Sequence, residues 1–174
     1  MSGARRGELL GLRWTDLDVG SGVCSVRQSL VAIHHAVRIE TPKSGHGRSI
    51  QLDAETVSAL KAHRAQQAVE RLAWGPAWTD SGLVFTREDG AAYHPDSFSK
   101  MFRMLSDEAG VPPIRLHDLR HGHATMALRA GVHPKIVSER LGHADIGITL
   151  NIYSHVTPEL DREAAETVAR MIAR

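Results

Sequence analysis

The chain contains a single cysteine, Cys24, and no long apolar run. One thiol cannot form an intramolecular disulfide, and the same count excludes a cysteine-based zinc finger. No stretch approaches the roughly 18 consecutive apolar residues that a membrane-spanning helix needs, so we expect no membrane association. The N-terminus has no apolar run behind a basic start, so we expect no signal peptide. A free thiol suits a reducing interior, and we therefore predict a cytoplasmic protein.

Charge is almost balanced over the whole chain, with a formal net charge of +1, but it is unevenly distributed. Residues 1–50 hold seven Lys and Arg against four Asp and Glu, and residues 100–143 hold the same numbers. Residues 51–99 and 144–174 have an acidic excess instead. If the two basic segments fold onto one face, their field would attract phosphate groups. The alternative is chance clustering on a mixed surface.

A length of 174 residues suits one well-packed domain. Residues 23–31 and 34–40 alternate apolar and polar side chains, as half-buried strands do, and residues 48–52 continue as a third strand. Residues 42–47 have the composition of a turn. The pattern predicts a small three-stranded antiparallel sheet with Lys43 at a hairpin tip.

Most of the remaining chain has helical periodicity, bounded by recognisable caps. Asp53 is a good N-cap, and Gly110, Gly131 and Gly142 each follow a helical segment. Helices are predicted at 53–72, 95–109, 116–130, 134–141 and 146–152, with a last one from 158 to 172 and a short strand at 83–85. The predicted fold class is therefore α+β, mainly α-helical with one small antiparallel sheet.

Six residues could together perform a chemistry that none of them performs alone. They are Arg5, Lys43, His117, Arg120, His143 and Tyr153. Each residue alone is weak evidence for a catalytic site. A solvated helix face also produces the His117/Arg120 spacing. His143 after a glycine fits a helix cap, and Tyr153 fits a half-buried core. As a set, two arginines can neutralise a phosphate, a tyrosine can attack it, and a lysine and histidines can move protons.

The contexts of these residues form five short motifs. They are Gly-Ala-Arg-Arg-Gly-Glu-Leu (3–9), Thr-Pro-Lys-Ser (41–44), Leu-His-Asp-Leu-Arg-His (116–121), Leu-Gly-His (141–143) and Ile-Tyr-Ser-His-Val (152–156). In this order and spacing the motifs resemble the catalytic domain of tyrosine recombinases, the phage integrase family. The resemblance spans nearly the whole chain. It implies the DNA breaking-rejoining catalytic fold of that family and a site-specific recombinase that needs no metal and no ATP.

One departure from the family is the short N-terminus. Family members carry a core-binding domain, and the first helices of the catalytic domain, before the first motif, whereas only two residues precede that motif here. The resemblance therefore implies that residues 1–174 are an N-terminally truncated catalytic domain. A truncated integrase fragment that binds DNA without cleaving it is the alternative reading.

The resemblance also implies a role for each residue of the set. Arg5 and Arg120 would bind phosphate oxygens, because their planar guanidinium groups can bond two oxygens each. Tyr153 would attack the phosphate and form a 3′-phosphotyrosine. A phenol has a pKa of about 10, so the nucleophile needs a proton acceptor or a strongly positive site.

The same resemblance implies that the remaining residues transfer protons or donate hydrogen bonds. His117 would be the general base, His143 a hydrogen-bond donor to the phosphate, and Lys43 the general acid that protonates the leaving 5′-oxygen. Glu8 is expected to support Arg5 or cap its helix. His121 and His123 are expected to be structural, and the part played by His155 is left open.

Two alternatives with chemistry of their own remain. His117 and His121 are four apart, a helical metal-ligand spacing to which His123 and His143 could add, but the Glu of a His-Glu-x-x-His motif is absent and two arginines would repel a dication. A type IB topoisomerase shares the tyrosine chemistry, although the motifs resemble integrases more closely.

The expected partner is double-stranded DNA. The resemblance further implies that the full-length protein forms a homotetramer on DNA by exchanging its C-terminal helix. Accessory DNA-bending or excision factors, and a bacterial, phage or mobile-element origin, also belong to this expectation. No cofactor is expected.

Overall fold

The computed structural model of the protein describes residues 2–34, 36–41, 47–154, 165–166 and 168–172, with the backbone alone at 153 and 154. The chain divides into two compact units, Met1–Arg120 and His121–Arg174. The first unit holds the strands and the first helices, and the second is helical. None of the described helices is both long and apolar enough to cross a membrane.

Six named helices form the largest share of regular structure in the described residues. They are α1 (Arg6–Leu10), α2 (Ala54–Trp74), α3 (Pro95–Glu108), α4 (Leu116–Arg129), α5 (Pro134–Leu141) and α6 (Ile146–Ser154). The five helices predicted between residues 53 and 152 are all present, with ends shifted by at most two residues. The predicted mainly helical fold with a small antiparallel sheet is thus confirmed. The last predicted helix falls mostly on residues outside the described part.

Local capping explains why the helix ends could be predicted. The Asp53 carboxylate accepts a hydrogen bond from the Thr56 backbone N–H (2.8 Å), which satisfies one donor of the first turn of α2. At the end of α5, Gly142 has a φ of 67° and a ψ of 48°, the left-handed conformation that glycine adopts without strain. Both positions were predicted from residue type alone.

The strands form two sheets rather than one. They are β1 (Leu17–Asp18), β2 (Val23–Val26), β3 (Ser29–Ile33), β4 (Ala36–Glu40) and β5 (Arg48–Gln51). β1, β2 and β5 make a three-stranded antiparallel sheet, in which Cys24 lies opposite Ile50. β3 and β4 make a separate two-stranded ribbon, in which Leu30 lies opposite Ile39. The predicted sheet of residues 23–31, 34–40 and 48–52 was therefore wrong in its strand composition.

The close approach of α1 to β3 explains where the strand pattern breaks. A Cβ added at Gly7 would lie 2.5 Å from the Ser29 hydroxyl and 2.7 Å from the Leu30 carbonyl oxygen, so only glycine fits there. The Gln28 side-chain amide also donates a hydrogen bond to the carbonyl of Gly11, just after α1. These contacts draw the chain out of the first sheet after Val26.

This break changes the expected setting of Lys43. Among the described residues, β4 pairs with β3 and β5 pairs with β2, so the two strands that flank residues 41–47 belong to different sheets. The predicted hairpin between them was wrong for that reason. Lys43 itself lies outside the described residues.

The predicted strand at 83–85 is only a short bridge. Leu83 pairs antiparallel with Arg13, and the Val84 backbone N–H donates to the Leu12 carbonyl (2.8 Å). A buried cluster of the first unit is formed by Leu12, Cys24, Val26, Ile50, Leu60 and Val84. The core of the second unit is formed where α4, α5 and α6 contribute Ala124, Leu128, Val137 and Leu141, with Ala127 and Ile152 beside them.

Gln67 is a buried polar link within the first unit. Its side-chain oxygen accepts from the Trp14 indole N–H (2.7 Å), and its amide donates to the Val84 carbonyl (3.1 Å) and the Thr86 hydroxyl (2.9 Å). One side chain on α2 thereby joins the segment after α1 to the bridge at 83–86. Buried polar groups of this kind are costly when their partner is removed.

Gln67→Leu should lower the free energy of unfolding of the first unit by about 1–3 kcal/mol, because it removes the acceptor for the Trp14 indole and the donor to Val84. Gln66→Leu is the matched control, since Gln66 is exposed on the same helix. All three tryptophans lie at positions 14, 74 and 78, so fluorescence in a urea titration reports this unit. Equal unfolding midpoints for the two variants would contradict the role given to Gln67.

Candidate active site

Glu8 is a buried carboxylate at the start of the chain. It lies in α1, and its side chain is only 1% exposed. The carboxylate accepts from the Arg5 backbone N–H (2.8 Å) and from Arg5 Nη1 (2.8 Å). It also accepts from Arg48 Nη1 (2.9 Å) and Nη2 (2.7 Å), so the Arg48 guanidinium bonds both carboxylate oxygens. Glu8 therefore links the first turn of α1 to the beginning of β5.

The protonation state of Glu8 follows from these contacts. Burial by itself raises the pKa of a carboxyl group, but the hydrogen bonds and charges of Arg48 and Arg5 outweigh it and lower the Glu8 pKa to about 2. Glu8 is consequently ionised at neutral pH. Its negative charge is fixed inside the first unit, next to two guanidinium groups.

Arg120 lies near the same carboxylate, on α4. It is 6% exposed, and Nη1 donates to the Gly3 carbonyl (2.7 Å), in the first motif. Burial, together with the charges of Arg5 and Arg48 and against the opposing charge of Glu8, lowers the Arg120 pKa to about 10. Arg120 thus remains charged at neutral pH and interacts electrostatically with the other two arginines.

We call Arg5, Glu8, Arg48 and Arg120 the arginine cluster. Arg5 and Arg48 bond the Glu8 carboxylate, and Arg120 interacts with it electrostatically, so the four side chains together carry a net charge of +2. An excess of partly desolvated positive charge attracts an anion more strongly than the same charge in water. The structure thus brings Arg5, Glu8 and Arg120 of the sequence-derived set together.

Arg48 is the member that sequence reasoning missed, because it was assigned only to a strand. The available signal was its register: in β5 the side chains of Arg48 and Ile50 point to one face, and Ile50 is buried. An arginine on the inward face of a strand needs a buried acidic partner. Glu8 supplies that partner.

His117 is a further site residue among the described residues of the first unit. It is exposed on α4, one turn before Arg120. The start of this helix is held by Asp118, whose carboxylate accepts from the Arg115 backbone N–H (2.8 Å) and from the Arg115 guanidinium (2.8 Å). The backbone that presents His117 is thereby fixed by its immediate neighbours.

His143 belongs to the second unit, directly after the left-handed Gly142. Its backbone N–H donates to the Ser138 carbonyl (3.1 Å), and its ring Nδ1 lies 2.8 Å from the Thr149 hydroxyl. Thr149 is fully buried on α6, so this contact fixes the orientation of the imidazole. Thr149 was not predicted as a site residue, although a threonine in the apolar sequence Ile-Gly-Ile-Thr-Leu was a usable signal.

Tyr153 occupies the last turn of α6, and the position of its side chain lies outside the described part of the structure, as does Lys43. Within the described residues, no three His, Cys, Asp or Glu side chains are grouped as potential metal ligands. The metal-hydrolase alternative gains no support from this part of the chain.

Comparison with known proteins supports a family assignment. The model of the phage integrase family matches residues 1–159. A tyrosine recombinase XerC-like protein of Caldanaerobacter subterraneus subsp. tengcongensis is 34% identical over 180 residues, which cover 96% of this chain and 46% of that protein. The ICEBs1 integrase of Bacillus subtilis is 28% identical, over 95% of this chain and 45% of that protein. The chain thus spans about half the length of these curated relatives.

Solved structures give the same result for the fold. The Tn1549 transposon integrase in complex with transposon right end DNA has a TM-score of 0.81 at 26% identity, over 97% of this chain and 56% of that one. XerA recombinase has a TM-score of 0.71 at 26% identity, over 95% of this chain and 53% of that one. The family model covers most of the chain, and similarity to its members extends over nearly all of it in both sequence and fold. The chain therefore belongs to the phage integrase family.

Proposed function

We propose that this chain is the catalytic domain of a tyrosine-type site-specific recombinase, a DNA strand transferase that cleaves and rejoins double-stranded DNA. The observation that carries the proposal is the arginine cluster, which places two positive charges in excess around the buried Glu8 in a chain of this family. A scissile phosphodiester gains negative charge on its non-bridging oxygens as it is attacked. Stabilisation of such developing charge by fixed donors is usually the largest contribution to catalysis.

Arg5 and Arg120 are the proposed phosphate ligands within this cluster. Both carry a permanent charge at neutral pH and a planar fork of donors, which suits a tetrahedral phosphate that presents oxygens in pairs. Glu8 supports them by holding the Arg5 backbone and side chain at the start of α1. His143 is the proposed additional donor to the phosphate, with its ring orientation set by Thr149.

In the proposed reaction, the Tyr153 phenolic oxygen forms a bond to phosphorus and the bond from phosphorus to the 5′-oxygen breaks. His117 takes the phenolic proton, and Lys43 donates a proton to the leaving 5′-oxygen. One phosphoester replaces another, so the reverse attack by a 5′-hydroxyl restores the DNA without a nucleotide cofactor. The roles of Lys43 and Tyr153 rest on their motifs.

The proposed partner is double-stranded DNA. The Tn1549 integrase was solved with transposon DNA, and XerH recombinase was solved bound to difH substrate. A homotetramer that exchanges C-terminal helices is part of the proposal, and the exposed apolar side chains of Val168, Met171 and Ile172 support it because they need a covering surface. Accessory DNA-bending or excision factors and a cytoplasmic, nucleoid-associated location complete it.

The alternative function is DNA binding without cleavage. The formation of a covalent adduct separates the two functions.

Tyr153→Phe should abolish the covalent protein–DNA adduct on a nicked suicide substrate, because the phenolic oxygen forms the bond to phosphorus. DNA binding, measured by gel shift, should remain within about twofold, since one hydroxyl group contributes little to phosphate contacts. Tyr93→Phe is the matched control, because Tyr93 is the only other tyrosine. An undiminished adduct yield in Tyr153→Phe would disprove the assignment of the nucleophile.

Arg120→Lys should reduce the rate of adduct formation by about 100-fold or more, because an ammonium group cannot replace the two-donor fork at the phosphate. Arg129→Lys makes the same change at an exposed position of α4 and should react at the wild-type rate. Single-turnover rates at saturating protein distinguish this loss from weaker DNA binding. Wild-type rates in both variants would remove Arg120 from the site.

Lys43→Ala should react slowly with ordinary DNA but close to the wild-type rate with a 5′-bridging phosphorothioate, because a thiolate leaves without needing a proton. Arg120→Lys should show no such rescue, since its defect concerns the non-bridging oxygens. Rates on the two substrates are compared within each variant. Equal rescue of both variants, or of neither, would assign the general acid to another residue.

A further inference from the structure

Arg48 lies outside the five motifs, yet its side chain is held by two bonds to Glu8. It is the first residue of β5, and its side chain is only 11% exposed. In the antiparallel register it lies opposite Val26, the last residue of β2. From there its two terminal nitrogens reach Glu8 at 2.9 and 2.7 Å. The sheet thereby contributes a rigid, two-point contact to a helix that is only five residues long.

The bonds to the Glu8 carboxylate are divided evenly between two arginines. Oε1 accepts from Arg48 Nη1 and from Arg5 Nη1, at 2.9 and 2.8 Å. Oε2 accepts from Arg48 Nη2 and from the Arg5 backbone N–H, at 2.7 and 2.8 Å. Arg48 therefore fixes the plane of the carboxylate, and that plane determines where both the backbone and the guanidinium of Arg5 are held.

We propose that Arg48 is a positioning residue of the active site, which acts on the scissile phosphate through Glu8 and Arg5 without touching the DNA. The inference rests on the proposed function, because it takes phosphate binding as the task of Arg5. Arg48 has two effects on that task. It fixes the orientation of Glu8, and it neutralises a carboxylate that would otherwise draw the Arg5 charge away from the phosphate.

The second effect, neutralisation of the Glu8 carboxylate by Arg48, can be distinguished from the first by counting charges. With Arg48 present, one buried carboxylate faces two guanidinium groups, and the cluster retains positive charge beside Arg120. With Arg48 replaced by an apolar residue, Glu8 and Arg5 become a neutral pair. The defect is then a loss of attraction for negative charge, which differs from a loss of folding. A substrate without that negative charge should reveal the difference.

Arg48→Met should slow adduct formation on ordinary DNA by on the order of 100-fold, a loss typical of a misplaced catalytic group. On a substrate with a neutral methylphosphonate at the scissile position, the same variant should be slowed by only about tenfold or less, because less charge has to be stabilised. Arg48→Lys keeps the charge but not the two-point contact, so it should lie between wild type and Arg48→Met on ordinary DNA.

Arg71→Met is the control, because Arg71 is an exposed arginine of the same unit, paired with Asp80, outside the arginine cluster. It should match wild type on both substrates. Urea titrations by tryptophan fluorescence establish that each variant is folded under the assay conditions. A fall in Arg48→Met by the same factor on both substrates would indicate a purely structural role and overturn the inference, as would an unchanged rate on both.

Glu8→Gln and the double variant Glu8→Gln/Arg48→Met test the route of the effect. If Arg48 acts through Glu8, its substitution should add little to the loss already caused by Glu8→Gln, because contacting residues in one pathway are not additive. Full additivity would overturn the inference. Wild-type protein that forms no adduct on either substrate would refute the proposed function together with it, whereas an active wild type with an unaffected Arg48→Met refutes the inference alone.

Discussion

The buried charge of Glu8 is the constraint on which the first unit and its site depend. An isolated carboxylate would be strongly disfavoured in this position, and Glu8 is ionised there only because Arg5 and Arg48 supply hydrogen bonds and positive charge. Removing one partner of a buried ion pair is destabilising by about 3–5 kcal/mol, since the other charge is left uncompensated. The same bonds that stabilise the buried carboxylate also orient Arg5. A change that weakens them should therefore affect both stability and the position of Arg5.

The arginines of the cluster outnumber its one carboxylate, so the cluster carries a net positive charge. If one arginine faced Glu8, the pair would be neutral and the interior would attract nothing. Arg48 bonds the carboxylate from the sheet and Arg5 from the helix. Arg120 adds a third positive charge, and its pKa is lowered first by burial and then by repulsion from Arg5 and Arg48. An anion beside these guanidinium groups would relieve that repulsion, which is why the cluster supports the proposal of a phosphate site.

The helices could be predicted from the sequence because their ends are fixed by adjacent residues, as Asp53 and Gly142 demonstrate. The sheets could not. The three successive polar residues 27–29 are a local sign of a break, but they do not indicate that the chain leaves the first sheet. The break after Val26 coincides with a distant contact, the approach of α1 at Gly7, which the strand pattern does not encode. Arg48 was missed for the same reason, since its partner Glu8 lies 40 residues earlier in the chain.

Three of the five motifs, by contrast, contain or adjoin a group that holds the candidate residue or its backbone. Arg5 is followed three residues later by Glu8, which accepts its backbone N–H, and His117 is followed at once by Asp118, which holds the first turn of α4. His143 follows a left-handed glycine, and its ring meets Thr149 six residues on. In these three motifs, bonds of short sequence separation contribute to the local shape, although the first motif also depends on the distant Arg48 and Arg120. The candidate site residues could therefore be predicted from short stretches of sequence, whereas the long-range contact between Arg48 and Glu8 required the structure.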